Sequence, residues 1–153
     1  MTHVEAPDEY DGPGPSLFLA GGIMGTFDWQ TEIVNRLARL PLVILNPRRR
    51  NFPMDDPSAA EAQITWEFRH LRRATAVLFW FPPETLCPIA LFELGSRVMV
   101  PHQPLFVGTH PAYARRQDVE IQLRLARPGV RVVIDISELA RQVEDFFTNH
   151  IAS

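Results

Sequence analysis

The 153-residue chain predicts one doubly wound α/β domain, a five-stranded parallel sheet with helices on both faces. Three observations lead there. Five short runs are mostly apolar without strict alternation, as strands covered on both faces are. Segments with three- and four-residue apolar spacing lie between those runs. Proline, at 14 residues, falls mostly between the runs and acts as punctuation.

Residues 1–15 are expected to be a flexible arm, because Pro7, Gly12, Pro13, Gly14 and Pro15 surround too few apolar side chains to pack. The domain proper then covers residues 16–153. Residues 17–20 supply the first strand, and a helix follows behind Asp28, with Trp29, Ile33, Val34 and Leu37 on its apolar side. Residues 42–45 form the second strand. Ser58 and Glu61 have the spacing of a capping box for a second helix that carries Ile64, Phe68 and Leu71 inward. Residues 76–81 form the third strand, and a helix over 89–99 starts from the turn chemistry of Pro82-Pro-Glu-Thr85. A strand at 105–107 and a helix over about 112–126, ended by Pro128-Gly129, come next. The last strand is 130–134, and a helix after Ser137 buries Leu139, Val143, Phe146 and Phe147.

With 46% hydrophobic and 22% charged residues the composition is globular. The net charge of −3, with arginines scattered among acids, leaves no basic face for a polynucleotide. A single cysteine, Cys87, excludes a disulfide framework and is too little sulfur for a cysteine zinc site, so a reducing cytoplasm is expected. No eighteen-residue apolar run or signal-type N-terminus is present, so neither membrane insertion nor export is expected. No second His or acid stands at metal-ligand spacing, and neither the dinucleotide fingerprint nor the Walker loop occurs, so no metal and no cofactor are expected.

In a doubly wound sheet, ligands bind beyond the carboxyl ends of the strands. The first such end carries Gly21 and Gly22, which let backbone amides approach a ligand or simply make a tight turn. Asn46, Arg48 and Arg49 follow the second. They suit a substrate contact or a phosphate-sized site, or equally a capped turn with solvated arginines. On the second helix Gln63, Glu67 and His70 share a face, either a solvated stripe or the border of a pocket. After the third strand comes Glu93, isolated in the apolar run from Leu86 to Leu94. It pairs with Arg97 one turn on, or it is a catalytic carboxylate held in costly surroundings. Two carboxylates, Glu93 and Glu67, are the minimal kit for cleaving a glycosidic bond, where one attacks the anomeric carbon and the other manages protons.

Seven segments carry a family resemblance: Leu19-Ala-Gly-Gly-Ile23, Asp28-Trp29-Gln30, Leu45-Asn-Pro-Arg-Arg49, Gln63-Ile-Thr-Trp-Glu67, Phe79-Trp-Phe-Pro82, Glu84-Thr-Leu-Cys-Pro88 and Glu93-Leu-Gly95. In this order and spacing they resemble the nucleoside 2-deoxyribosyltransferase-like proteins, from about residue 17 to about 136. The resemblance implies a flavodoxin-like fold and a homo-oligomer whose neighbouring subunit completes the site. It implies Glu93 as the nucleophile toward C1′ of a 2′-deoxynucleoside, with a second nucleobase or water resolving the ester with retention. Glu67 matches the family's positioning and base-protonating acid, and Gly21, Gly22 and Asp28 match its pocket. Its substrates would be nucleosides or nucleotides and free nucleobases. The chain departs from relatives at Thr75, where they often carry an acid, and at Ile151-Ala-Ser153, where the best-known transferases place an aromatic. The fold also hosts nucleoside 5′-monophosphate N-glycosidases, for which Arg48 and Arg49 would hold the phosphate. Hydrolysis of nucleosides or nucleotides, and a nucleotide-binding module without turnover, are the alternatives.

Overall fold

A computed structural model describes the backbone of residues 1–151 and the side chains of residues 1–150. The elements are β1 Thr2–Glu5, β2 Ser16–Gly21, α1 Trp29–Arg36, β3 Val43–Asn46, α2 Pro57–Arg73, β4 Ala76–Phe81, α3 Pro88–Val98, β5 Leu105–Thr109, α4 Arg116–Ala126, β6 Val132–Val133 and α5 Ile136–Ile151. The strands form one sheet in the order β1-β3-β2-β4-β5-β6, parallel throughout. The strand order reverses between β2 and β4, the place where a doubly wound sheet opens a crevice at its carboxyl edge.

Alternate side chains of the central strands feed two cores. Phe18, Ala20, Val77, Phe79 and Phe81 pack against α2, α3 and α4. Leu17, Leu19, Ala76, Leu78 and Trp80 pack against α1 and α5. Both faces of β2 and β4 are thereby sealed, which is why these strands tolerate no alternation. No helix among the described residues is long and apolar enough to cross a membrane.

Three expectations need correction. The sheet has a sixth strand, because residues 2–5, expected as an arm, pair with β3 along its outer edge. Apolar content is a poor guide there, since an edge strand is recruited by backbone bonds such as Thr2 N–H to Leu42 O and Ala6 N–H to Asn46 O. The segment behind β1 is tied down in turn, by Trp66 Nε1–H donating to Asp8 O at 2.8 Å and Tyr10 N–H donating to His70 Nε2 at 3.3 Å.

Secondly, α2 is capped by Asp56 rather than Ser58: its carboxylate accepts from Ser58 N–H, and Pro57 opens the helix. Its orientation also departs in part from the expected one, for Leu71 is buried as expected but the other two residues of that side are not. Ile64 and Phe68 are 65% and 55% exposed, whereas Trp66 and His70 are each 1% exposed. Periodicity identifies which residues share a face, but not which face turns inward. The inward face carries the Trp66 indole, buried with its N–H satisfied by Asp8 O. Thirdly, α4 starts at Arg116, because residues 111–115 are spent on a turn closed by Tyr113 N–H to His110 O at 2.9 Å.

Candidate active site

The glycine turn after β2 is shaped by its surroundings. Gly21 has φ +151° and a Cβ there would lie 2.2 Å from Trp80 O, so only glycine lets β2 run this close to β4. The Gly22 carbonyl accepts from Trp29 Nε1 at 2.8 Å and Gln30 Nε2 at 3.3 Å, and the Thr26 hydroxyl approaches it at 3.2 Å. With that carbonyl held toward α1, the turn forms one wall of a cavity of about 330 Å³. Ile23 and Met24 continue this wall, Pro47 comes from the loop after β3, and Glu67 comes from α2. Thr85, Cys87, Ile89, Ala90 and Glu93 close it from the loop after β4 and the first turns of α3.

Glu67 and Glu93 therefore reach one cavity from two helices. Burial raises the Glu67 carboxyl above its ordinary value, while a hydrogen bond from Gln63 pulls it back. Burial, reinforced by the charge of Glu67 and opposed by Arg72, pushes Glu93 up to about 8. An apolar cavity and a second carboxylate both oppose ionisation, so Glu93 keeps its proton well above the ordinary carboxylate range. Arg97 does not relieve Glu93. Its guanidinium lies 3.3 Å from Ser96 Oγ and 3.5 Å from Gln103 Oε1, and among the described residues it makes no ion pair with Glu93.

The other residues expected at the site divide into lining and support. Gln63 sits behind the cavity wall, donating through Nε2 to Pro47 O at 2.8 Å and to Glu67 Oε1 at 2.7 Å. Trp29 is fully buried on the opposite face of the sheet and braces Gly22. Asp28 caps α1 through Thr31 N–H at 3.1 Å and stands 3.5 Å from Arg48. Asn46 closes a turn, accepting from Arg48 N–H at 3.0 Å, and its amide nitrogen lies 3.2 Å from His3 Nε2. Arg48 donates to Gln30 Oε1 and Thr26 Oγ1, both at 2.8 Å, and to Phe27 O at 3.2 Å. Arg49 lies over the Phe52 ring and Arg50 pairs with Glu5. Asp28, Trp29, Asn46, Arg48 and Arg49 thus stand outside the cavity, and no arginine, lysine or histidine among the described residues lines it.

Arg48 is a strap across the loop that carries the glycine turn. Its removal leaves Gln30 Oε1, in a fully buried side chain, without its donor. Arg48→Met is expected to lower stability by about 2 kcal/mol in urea unfolding. An unchanged midpoint would mean that the loop is held by other contacts.

Sequence reasoning missed Ile23, Met24, Thr85 and Ile89 as lining residues, although each lies just past a strand end or opens α3. It also missed Tyr113, whose hydroxyl donates to Leu86 O at 2.8 Å and props the loop before α3. Cys87 adopts φ 49°, uncommon outside glycine. Burial and then Glu84 push its thiol up to about 11, so it stays protonated and unreactive at neutral pH. The departure expected at Ile151-Ala-Ser153 lies outside the residues whose side chains are described. Among the described residues no three His, Cys, Asp or Glu side chains gather to hold a metal.

A larger groove of about 470 Å³ runs between α3 and α4, lined by apolar residues such as Leu91, Leu94, Val98 and Leu123. Its charged rim residues Arg115 and Asp118 face each other at 3.7 Å, leaving no carboxylate pair free for chemistry. The glutamate cavity is therefore the candidate site. Against known families, a match covers residues 14–113, to the family described as nucleoside 2-deoxyribosyltransferase like. No curated protein matches the chain significantly.

Proposed function

The chain belongs to the nucleoside 2-deoxyribosyltransferase-like family, and from that premise we propose that it moves 2-deoxyribose between nucleobases through an ester on Glu93. The observation that carries this reading is the pair Glu67 and Glu93 in one cation-free cavity at the reversal of strand order. Attack by a Glu93 oxygen on C1′ forms a C–O bond while the bond from C1′ to the base nitrogen breaks. The base leaves with a proton supplied by the pair. A second base then attacks C1′ from the face the first one vacated, so two inversions give net retention.

Unphosphorylated nucleosides suit this cavity better than 5′-monophosphates. A phosphate dianion would face two carboxyl groups, and the three arginines after β3 are engaged elsewhere. Its volume lies at the small end of the ligand-site range, about 300 to 1,000 Å³. Incubation with a slow 2-fluoro deoxynucleoside is expected to leave one sugar adduct on Glu93, located by peptide mass spectrometry. A panel of deoxynucleosides, ribonucleosides and their monophosphates, each with and without an acceptor base, is expected to show acceptor-dependent exchange on the unphosphorylated deoxynucleosides. Free sugar at the same rate with or without acceptor would make the protein a hydrolase instead. Binding without any turnover would make it a sensor.

A further inference from the structure

We propose that Gln63 is a positioning residue that assigns the shared proton of the glutamate pair: its amide holds Glu67 ionised and in place, so the proton rests on Glu93 until substrate arrives. The chemical meaning of this assignment rests on the transfer reading above, whereas the assignment itself does not. Gln63 stands one turn before Glu67 on α2, and both of its amide hydrogens are used, one on Glu67 Oε1 at 2.7 Å and one on Pro47 O at 2.8 Å. The carbonyl of Pro47 only accepts, which fixes which end of the amide faces it. The NH₂ group must point at both oxygens. A fixed donor favours the charged form of the carboxyl group that it faces.

The opposite end of the side chain carries a cost. Gln63 Oε1 is buried without a hydrogen-bond partner, so the amide is satisfied on its donor side only. Glu93 has no comparable donor among the described residues. The charged and titratable groups around it are Glu67 and Arg72 from α2, with Arg97 on its own helix and Cys87 at that helix's start. Arg72 is partly diverted, lying 3.4 Å from the centre of the Phe68 ring and donating to Phe68 O at 3.1 Å. The loops after β2 and β3 bring no charge into the cavity. The two glutamates are thus unequal in their surroundings, and Gln63 makes the difference.

That inequality sets the order of events. As the bond from C1′ to the base nitrogen breaks, its electron pair goes to the base. The Glu93 proton passes by way of Glu67 to that base, and the freed Glu93 carboxylate supplies the pair for the new C–O bond. When the acceptor's N–H nitrogen attacks C1′, the ester C–O bond breaks back to Glu93 and the acceptor's proton returns to the pair. The enzyme ends in the one-proton state in which it started.

The test is a carboxyl ¹³C NMR titration of the ligand-free protein labelled at glutamate, with the two signals assigned from Glu67→Gln and Glu93→Gln. In the wild type, Glu67 is expected to titrate below Glu93. In Gln63→Met, which keeps the length but not the donor, the Glu67 midpoint is expected to rise by about one pH unit. The acid limb of kcat/KM should move with it, with kcat falling about tenfold and KM nearly unchanged. The reverse titration order in the wild type, or a Glu67 midpoint unmoved in Gln63→Met, overturns the proposal. Should the variant not fold, Gln63→Ala carries the same measurement. Because the titration needs no turnover, an inactive wild type would sink the transfer reading while leaving this one to stand or fall by itself.

Discussion

Glu93→Gln is expected to abolish exchange, lowering kcat by about 10⁴-fold or more, while making the protein more stable at alkaline pH. The first effect follows from the proposed role of Glu93 as the carboxylate that forms the ester. The second comes from burial. In the folded protein Glu93 holds its proton up to about pH 8, against an ordinary value of 4.5, so the native state binds this proton more tightly than the unfolded chain does. Its contribution to stability is full below pH 4.5 and is lost as pH rises toward 8. A neutral amide avoids that loss. With Glu93 only partly shielded from solvent, the gain above pH 8 is about 2 kcal/mol, or roughly 5 °C in melting temperature for a chain of this size. The two proteins should melt alike near pH 4 and diverge steadily above it. Melting curves that stay parallel from pH 4 to 9 would show that Glu93 ionises as easily as an exposed glutamate, and that the pair shares no proton at neutral pH.

Gly21→Ala is expected to cost more than about 3 kcal/mol and to leave little folded protein. The new methyl carbon would stand 2.2 Å from Trp80 O and 2.8 Å from Trp29 Cζ2, on a backbone with φ +151°. Neither neighbour yields, since Trp80 O belongs to the backbone of β4 and the Trp29 ring is fully buried. Gly95→Ala is the contrast. Apart from its chain neighbours and the backbone of its own helix, no atom lies within 4 Å of a Cβ at that position, and the residue is interior to α3, so alanine should stabilise the helix by about 0.5 to 1 kcal/mol. Circular dichroism melts of both variants measure the difference. A Gly21→Ala protein that melts within a few degrees of wild type would mean that β2 and β4 separate more readily than their packing implies.

Much of the fold is legible in the chain because its signals are redundant. The runs at 76–81 and 17–20 are apolar at every position, and only a strand buried on both faces needs that. Glu93 is legible for a related reason, as a charge in an apolar stretch is conspicuous whatever the tertiary structure. β1 is not legible. Its residues pack little and are recruited by main-chain bonds, which leave no mark on side-chain pattern. The support residues were visible, and the capped turn was one of the two readings of Asn46, whereas Arg48, expected at a ligand or in solvent, instead holds the loops that shape the cavity.

By itself the sequence determined the alternation of strand and helix and picked out Glu67 and Glu93, the two glutamates that line one cavity at the sheet's carboxyl edge. These depend on local periodicity, on polar residues sharing one helix face and on a charge set in an apolar run, all of which are properties of chain neighbours. Only the tertiary structure decided which face of α2 turns inward, and with it that Gln63, Trp66, Glu67 and His70 point toward the sheet while Ile64 and Phe68 face outward. The physical reason is that a helix with two usable faces has no local preference between them. The choice is made by partners distant in sequence, Asp8 for Trp66 and Tyr10 for His70, which follow the strand paired with β3.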